Sequence, residues 1–307
     1  MPAALIGSRL FKEHSIVAHF KQTKEVGSVN QLTMQADKTE KIPFILQPWI
    51  YLYRATPKIN IPGTRVDISF SLRCAVIFSA LRLYFRHVLY WFGWPVGAPD
   101  TYFTSACLVS FCTSSLMLPG LAVILLSQKF VPSGSLQPSP MWYQDATHAL
   151  MGYCTGYMLY DSVLGYVVET WQPGIGPVLS VDDWTFLGHH ILTTLYMVSA
   201  RISMAGHMSA MMLMFIGEFS APIMNLHFIL EKASTQDCCK GIMWLPAIFA
   251  YNEQFFSIVY LVCRVAISPF AIAHVSYDLL LTKRGRKDVP VWLSISWMPM
   301  CWVSDME

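Results

Sequence analysis

Charge is what this sequence has least of. Lys, Arg, Asp and Glu make up 13% of its 307 residues, against about 25% in ordinary soluble domains. That scarcity excludes a conventional water-facing globule. The formal net charge of +2, with no basic stripe interleaved with aromatics, sets nucleic acid aside as a partner. Metal-type spacing is also missing: there is no CxxC pair, no Cys/His finger and no HExxH, so no metal site is expected. The eight cysteines make no disulfide framework. Six of them (Cys74, Cys107, Cys112, Cys154, Cys263 and Cys301) lie in apolar runs, where Cys behaves as a small hydrophobe. The adjacent Cys238 and Cys239 leave two readings open, unmodified thiols or S-palmitoylation at a membrane edge. No clean signal peptide opens the chain, because Lys12 and Glu13 follow a short apolar start. No internal repeat is visible, which speaks against a transporter built from inverted halves.

What is present is apolar and aromatic. Hydrophobic residues make up 54% of the chain and Phe, Trp and Tyr 14%, a composition suited to side chains that face hydrocarbon. The expectation is an all-α, multi-pass transmembrane helix bundle of about six to seven spans, each needing about 20 apolar residues. The segments fall at roughly 68–92, 102–126, 146–168, 184–203, 207–229 and 251–273, with a short last one near 290–303. Residues 1–66 read as a polar, partly disordered cytosolic region with one amphipathic piece at Ile42 to Tyr53, and 67–304 as the bundle. Lys and Arg gather in the N-terminal tail and in the links holding Lys129, Arg201 and Lys283 to Lys287, with Lys232 and Lys240 as exceptions. That bias puts the N-terminus in the cytosol.

Ionisable groups at membrane depth are costly and default to functional candidates. Here they are His148 and Asp161 in the third segment, His189 and His190 in the fourth, Glu218 and Asn225 in the fifth, and Arg264 in the sixth. Counting about 1.5 Å of rise per residue puts Asp161, the His pair and Asn225 at one level, roughly 6–10 Å from the non-cytosolic end. Glu218 and Arg264 lie deeper on the same count, as candidate partners for each other. A carboxylate beside an imidazole suits base or nucleophilic catalysis on an acyl group, with one histidine reacting and Asp161 orienting. The alternative is a structural role for each of these groups. In the first segment Arg82 reads as a lipid-headgroup ligand, while Arg86 and His87 read as lying near an interface or a helix partner. The Met204 to Met214 cluster reads as pliable packing.

GYMLYDSVLG in the 152–165 region, then FLGHHILTTLYMVSA, GEFSAPIMNLHFILEK and NEQFFSIVYLVCRVAISP, together resemble the TLC (TRAM/LAG1/CLN8) domain family over about 100 to 295. The pattern is closer to the TLC-domain-containing (TLCD) branch than to ceramide synthases. The stretch after the His pair holds one acid, Glu218, where ceramide synthases carry several; the second segment, VSFCTSSLM, lacks the histidine of the TLCD branch. The resemblance implies a bundle with a lipid-accessible cavity in the endoplasmic reticulum or a related membrane. It implies His189, His190 and Asp161 as catalytic residues, and acyl-CoA as substrate with no cofactor. His148, Glu218, Asn225 and Arg264 are then candidates for lipid contact. Membrane lipids or acyl chains are the expected partners, with a homo-oligomer left open. A non-enzymatic lipid sensor, regulator of phospholipid composition or cargo-trafficking receptor is the competing reading.

Overall fold

The computed structural model describes residues 41–303 apart from Arg65, with side chains up to Pro299. The expectations for the tail before residue 41 lie outside that range. A short 3-10 turn, Phe44–Leu46, leads into α1 (Gln47–Ala55). Then come α2 (Ser69–Trp91), α3 (Pro99–Ser127) and α4 (Met141–Tyr160), which continues as a π-helical stretch over Asp161–Val168. A two-residue hairpin, β1 (Trp171–Gln172) and β2 (Gly176–Pro177), precedes α5 (Val181–Ser203) and α6 (His207–Thr235). α7 (Leu245–Tyr260), a π-helical stretch at Leu261–Ile267 and α8 (Ser268–Leu281) form one rod, followed by α9 (Lys283–Asp288) and α10 (Val291–Val303).

Helix is the outcome because lipid offers no partner to a backbone N–H or C=O, so each run must satisfy itself internally. Among the described residues, Pro99–Ser127, His207–Thr235 and Leu245–Leu281 are long and apolar enough to cross a membrane. The protein is an all-α membrane bundle. Each of the first six expected segments is helical; the first four end within about five residues of expectation, while Thr235, Leu245 and Leu281 lie six to eight residues beyond the expected ends. The seventh, α10, has 13 residues, about 20 Å at helical rise against a hydrocarbon core of about 30 Å. It is instead anchored to its neighbours by Trp297, which is fully buried and donates from Nε1 to the Ser199 hydroxyl at 2.8 Å.

α4 is the central helix, buried on nearly every side by Tyr143, Ala146, Ala149, Leu150, Met151 and Cys154. A helix apolar all round belongs in the middle of a bundle. Gly156 permits its contact with α2: a Cβ there would fall 2.5 Å from the Ser71 carbonyl oxygen. α1 runs antiparallel along α4. Trp49 meets the Tyr153 ring at 4.8 Å, Tyr53 stacks on His148 at 6.2 Å and Arg54 pairs with Asp145 at 2.6 Å. Leu46, Ile50 and Tyr53 join the same core as α4, so contacts of the bundle lie on both sides of the expected division at residue 66.

The end at which α2 begins is called here the near end. Three contacts gather other termini there: Arg201 to the Asp67 carbonyl at 2.5 Å, the Ser133 N–H to Asp278 at 2.8 Å, and the Leu136 N–H to the Met204 carbonyl at 2.7 Å. At the far end Lys232 pairs with Asp100 at 3.1 Å. Successive long helices therefore alternate in direction.

Candidate functional site

Most of the expected polar residues fall into two groups, on either side of α5. The first lies where α4 passes into its π-helical stretch. Asp161 opens that stretch, with Oδ1 3.6 Å from Arg82 Nη1 and Oδ2 3.8 Å from His190 Nδ1. Both distances are too long for a hydrogen bond. Arg82 also donates to the Tyr160 hydroxyl at 3.4 Å and pairs with Glu169, whose other oxygen pairs with Arg86. Arg86 in turn lies 4.2 Å from the centre of the Tyr102 ring. Two guanidinium groups and two carboxylates thus balance inside the bundle. His190 is buried beside them, edge-on to Tyr157 and Tyr166 at 6.4 and 5.7 Å.

This corrects the headgroup reading of Arg82. Its side chain is 4% exposed, turned inward onto Asp161 and Glu169. The guanidinium can be buried because two carboxylates meet it. Arg86 does face a helix partner, through Glu169 and Tyr102. The sequence carried a signal for this network: two arginines one turn apart in an apolar run, and an acid eight residues after Asp161. Pairing them required knowing that α2 packs against α4.

The second group lines a small cavity of about 100 Å³ between α4, α5, α6 and the π-helical stretch after α7. His189 and Thr193 form one wall, Glu218 and Gly217 another, and Arg264 a third, with Cys154, Met158, Met197 and Met214 between them. Arg264 Nη2 donates to the Gly217 carbonyl at 3.3 Å, and the Ser114 hydroxyl donates to Glu218. Ser114 is a functional candidate that the sequence did not single out. The two imidazole rings are 5.6 Å apart. One histidine therefore meets the Asp161 network and the other meets the cavity.

The structure brings His189, Glu218 and Arg264 together, and Asp161 with His190. Two expected residues stand elsewhere. His148 stacks on Tyr53 near the other end of α4. Asn225 donates to Ser110 at 2.9 Å and to the carbonyl of Ala221, a lining residue, at 2.8 Å, tying α6 to α3 one turn beyond the cavity wall. Of the residues expected at one level, Asp161 meets His190, while His189 turns to the cavity and Asn225 to Ser110. Among the described residues, no three His, Cys, Asp or Glu side chains come together as a metal-binding set.

Residues 103–306 match the family model of the TLC domain. The chain belongs to the TLC-domain family. The match covers about two thirds of the chain and contains Asp161, Glu169, both histidines, Glu218 and Arg264. Arg82 and Arg86 lie before it, so α2 supplies from outside the matched segment the cations that hold its Asp161 and Glu169. No curated protein and no solved structure matches the TLC chain.

Proposed function

We propose that this TLC-domain protein acts in lipid metabolism or homeostasis, binding lipid or acyl chains in its bundle and transferring acyl groups through His189. The reading places it closer to the TLCD branch than to the ceramide synthases, in the endoplasmic reticulum or a related endomembrane with a cytosolic N-terminus. The observation that carries it is the position of His189 on a polar cavity wall opposite Glu218 and Arg264. An imidazole there can take a proton from an acceptor N–H or O–H as that atom adds to a thioester carbonyl. The C–S bond then breaks, and the proton passes from the imidazolium to the departing thiolate of CoA. Arg264 supplies donors beside the reacting carbonyl, Ser114 holds Glu218 by its hydroxyl, and His190 and Asp161 hold the helix segment that carries His189.

A second reading rests on the cavity's size. About 100 Å³ is small beside the roughly 300–1,000 Å³ of pockets that hold small molecules. A lipid sensor or regulator that opens only on binding fits that volume as well as an enzyme does, and the methionine-rich wall can repack.

Purified protein incubated with labelled acyl-CoA and a panel of lipid acceptors tests the choice, with a competent ceramide synthase as positive control. Transfer that is lost in His189→Ala supports the enzyme. If the wild type neither acquires nor passes on label, acyl transfer fails, and lipidomics of cells lacking the protein then tests homeostasis.

A further inference from the structure

The near end of the bundle carries cations of two kinds. Arg54 pairs with Asp145, Lys58 pairs with Asp67, and Arg201 donates to the Asp67 carbonyl, so these are engaged within the fold. Lys283, Arg284, Arg286 and Lys287 of α9 are exposed, and none has an acidic partner among the described residues. Only Arg286 has an internal polar contact of note, one donor given to the Leu280 carbonyl at 2.8 Å.

These four are held in place by the fold. The Gly285 N–H donates to the Thr282 hydroxyl at 2.9 Å. Gly285 itself lies so close to α8 that a Cβ would fall 2.1 Å from the Asp278 carbonyl oxygen. α9 is therefore pressed against the last turn of a rod long enough to cross a membrane. Apolar side chains face outward on both sides of it, Tyr277 and Leu281 before, Val291, Trp292 and Ile295 after. A six-residue helix is about 9 Å long. The cations are thus concentrated between two outward-facing apolar patches. Trp292, 68% exposed, is the residue type that settles at a membrane–water boundary.

We propose that α9 and the outer face of α10 form a binding surface for anionic phospholipid headgroups in the leaflet at the near end. The phosphate and any further headgroup anion meet the four cations, while Trp292 and Ile295 lie among the upper acyl methylenes. This surface is remote from the His189 cavity and independent of any acyl transfer there.

The full-length protein in detergent, offered phosphatidylserine or phosphatidylcholine and weighed intact by native mass spectrometry, reads the preference directly. The wild type is expected to retain phosphatidylserine in excess. Successive Lys283→Gln, Arg284→Gln, Arg286→Gln and Lys287→Gln substitutions are expected to lower that excess roughly fivefold per cation removed, with phosphatidylcholine retention unchanged. Salt supplies a check that needs no variant, since raising it from about 0.1 to 1 M shortens the screening length from about 10 to 3 Å and should erase the preference. Equal retention of the two lipids by the wild type, or a preference that survives both the substitutions and high salt, overturns the proposal.

Discussion

His189 and His190 are one position apart and about 100° apart around the helix axis, and that angle divides their surroundings. His190 turns to Asp161 and two tyrosines, while His189 turns to the cavity. The network behind His190 depends most on Arg82. Arg82→Met leaves Asp161 and Glu169 facing each other without their shared cation, and should cost about 3 kcal/mol of stability, measured by unfolding in detergent. Adding Glu169→Gln should recover part of that loss. A cost below about 1 kcal/mol would class these pairs with ordinary surface ion pairs. Asp67, just ahead of α2, supports a second prediction. Burial alone would raise its carboxyl, but hydrogen bonds from the Ser69 hydroxyl and the Ile59 and Ser69 N–H groups, with Lys58 nearby, outweigh it and hold the group below its ordinary 3.8. A carboxyl depressed by folding contributes stability above its unfolded value and loses it as pH falls through the folded one. Melting temperature should therefore drop more steeply for the wild type than for Asp67→Asn as pH falls from about 4. Parallel curves would remove Asp67 from the acid response.

At the scale of elements, two close contacts decide how helices sit. Gly156→Ala puts a methyl against the Ser71 backbone and Cys74, where nothing can yield without moving α2 from α4. Overpacking of this sort costs about 1–3 kcal/mol, and a melting temperature equal to wild type would show that the two helices separate freely. α10 is held chiefly by Trp297, on Tyr196, Ser199 and the backbone of Gly206. Trp297→Ala should cost about 3–5 kcal/mol and expose the segment after Asp288 to limited proteolysis while the earlier helices stay protected. The helices themselves were largely legible in the sequence, because hydrocarbon thickness sets how long an apolar run must be. α3 was expected at 102–126 and spans Pro99–Ser127. α1 was legible as an amphipathic piece, but its antiparallel course along α4 follows from Tyr53, Trp49 and Arg54 finding partners 91 or more residues away.

For the whole molecule, alternation of helix direction gathers the start of α2, the end of α8 and the basic α9 at one end, with Asp100 and the hairpin at the other. Single cysteines introduced at Lys58 and at Lys287, in a background without exposed native thiols, should therefore react with an impermeant maleimide from the same side of sealed vesicles, and one at Asp182 from the opposite side. Labelling of Lys58→Cys and Lys287→Cys from opposite sides would contradict alternation. The sequence by itself determined residence in a membrane and helical structure, since both follow from the scarcity of charge and the lengths of apolar runs. It also marked out the His pair, Asp161, Glu218 and Arg264 as exceptional, because ionisable groups in such runs are rare. Only the tertiary structure decided which of them meet. Pair energies depend on distances of a few ångströms between side chains on different helices, and helix packing sets those distances. It thus assigned Arg82 to Asp161 and Glu169, His189 to the cavity with Glu218 and Arg264, and Asn225 to Ser110.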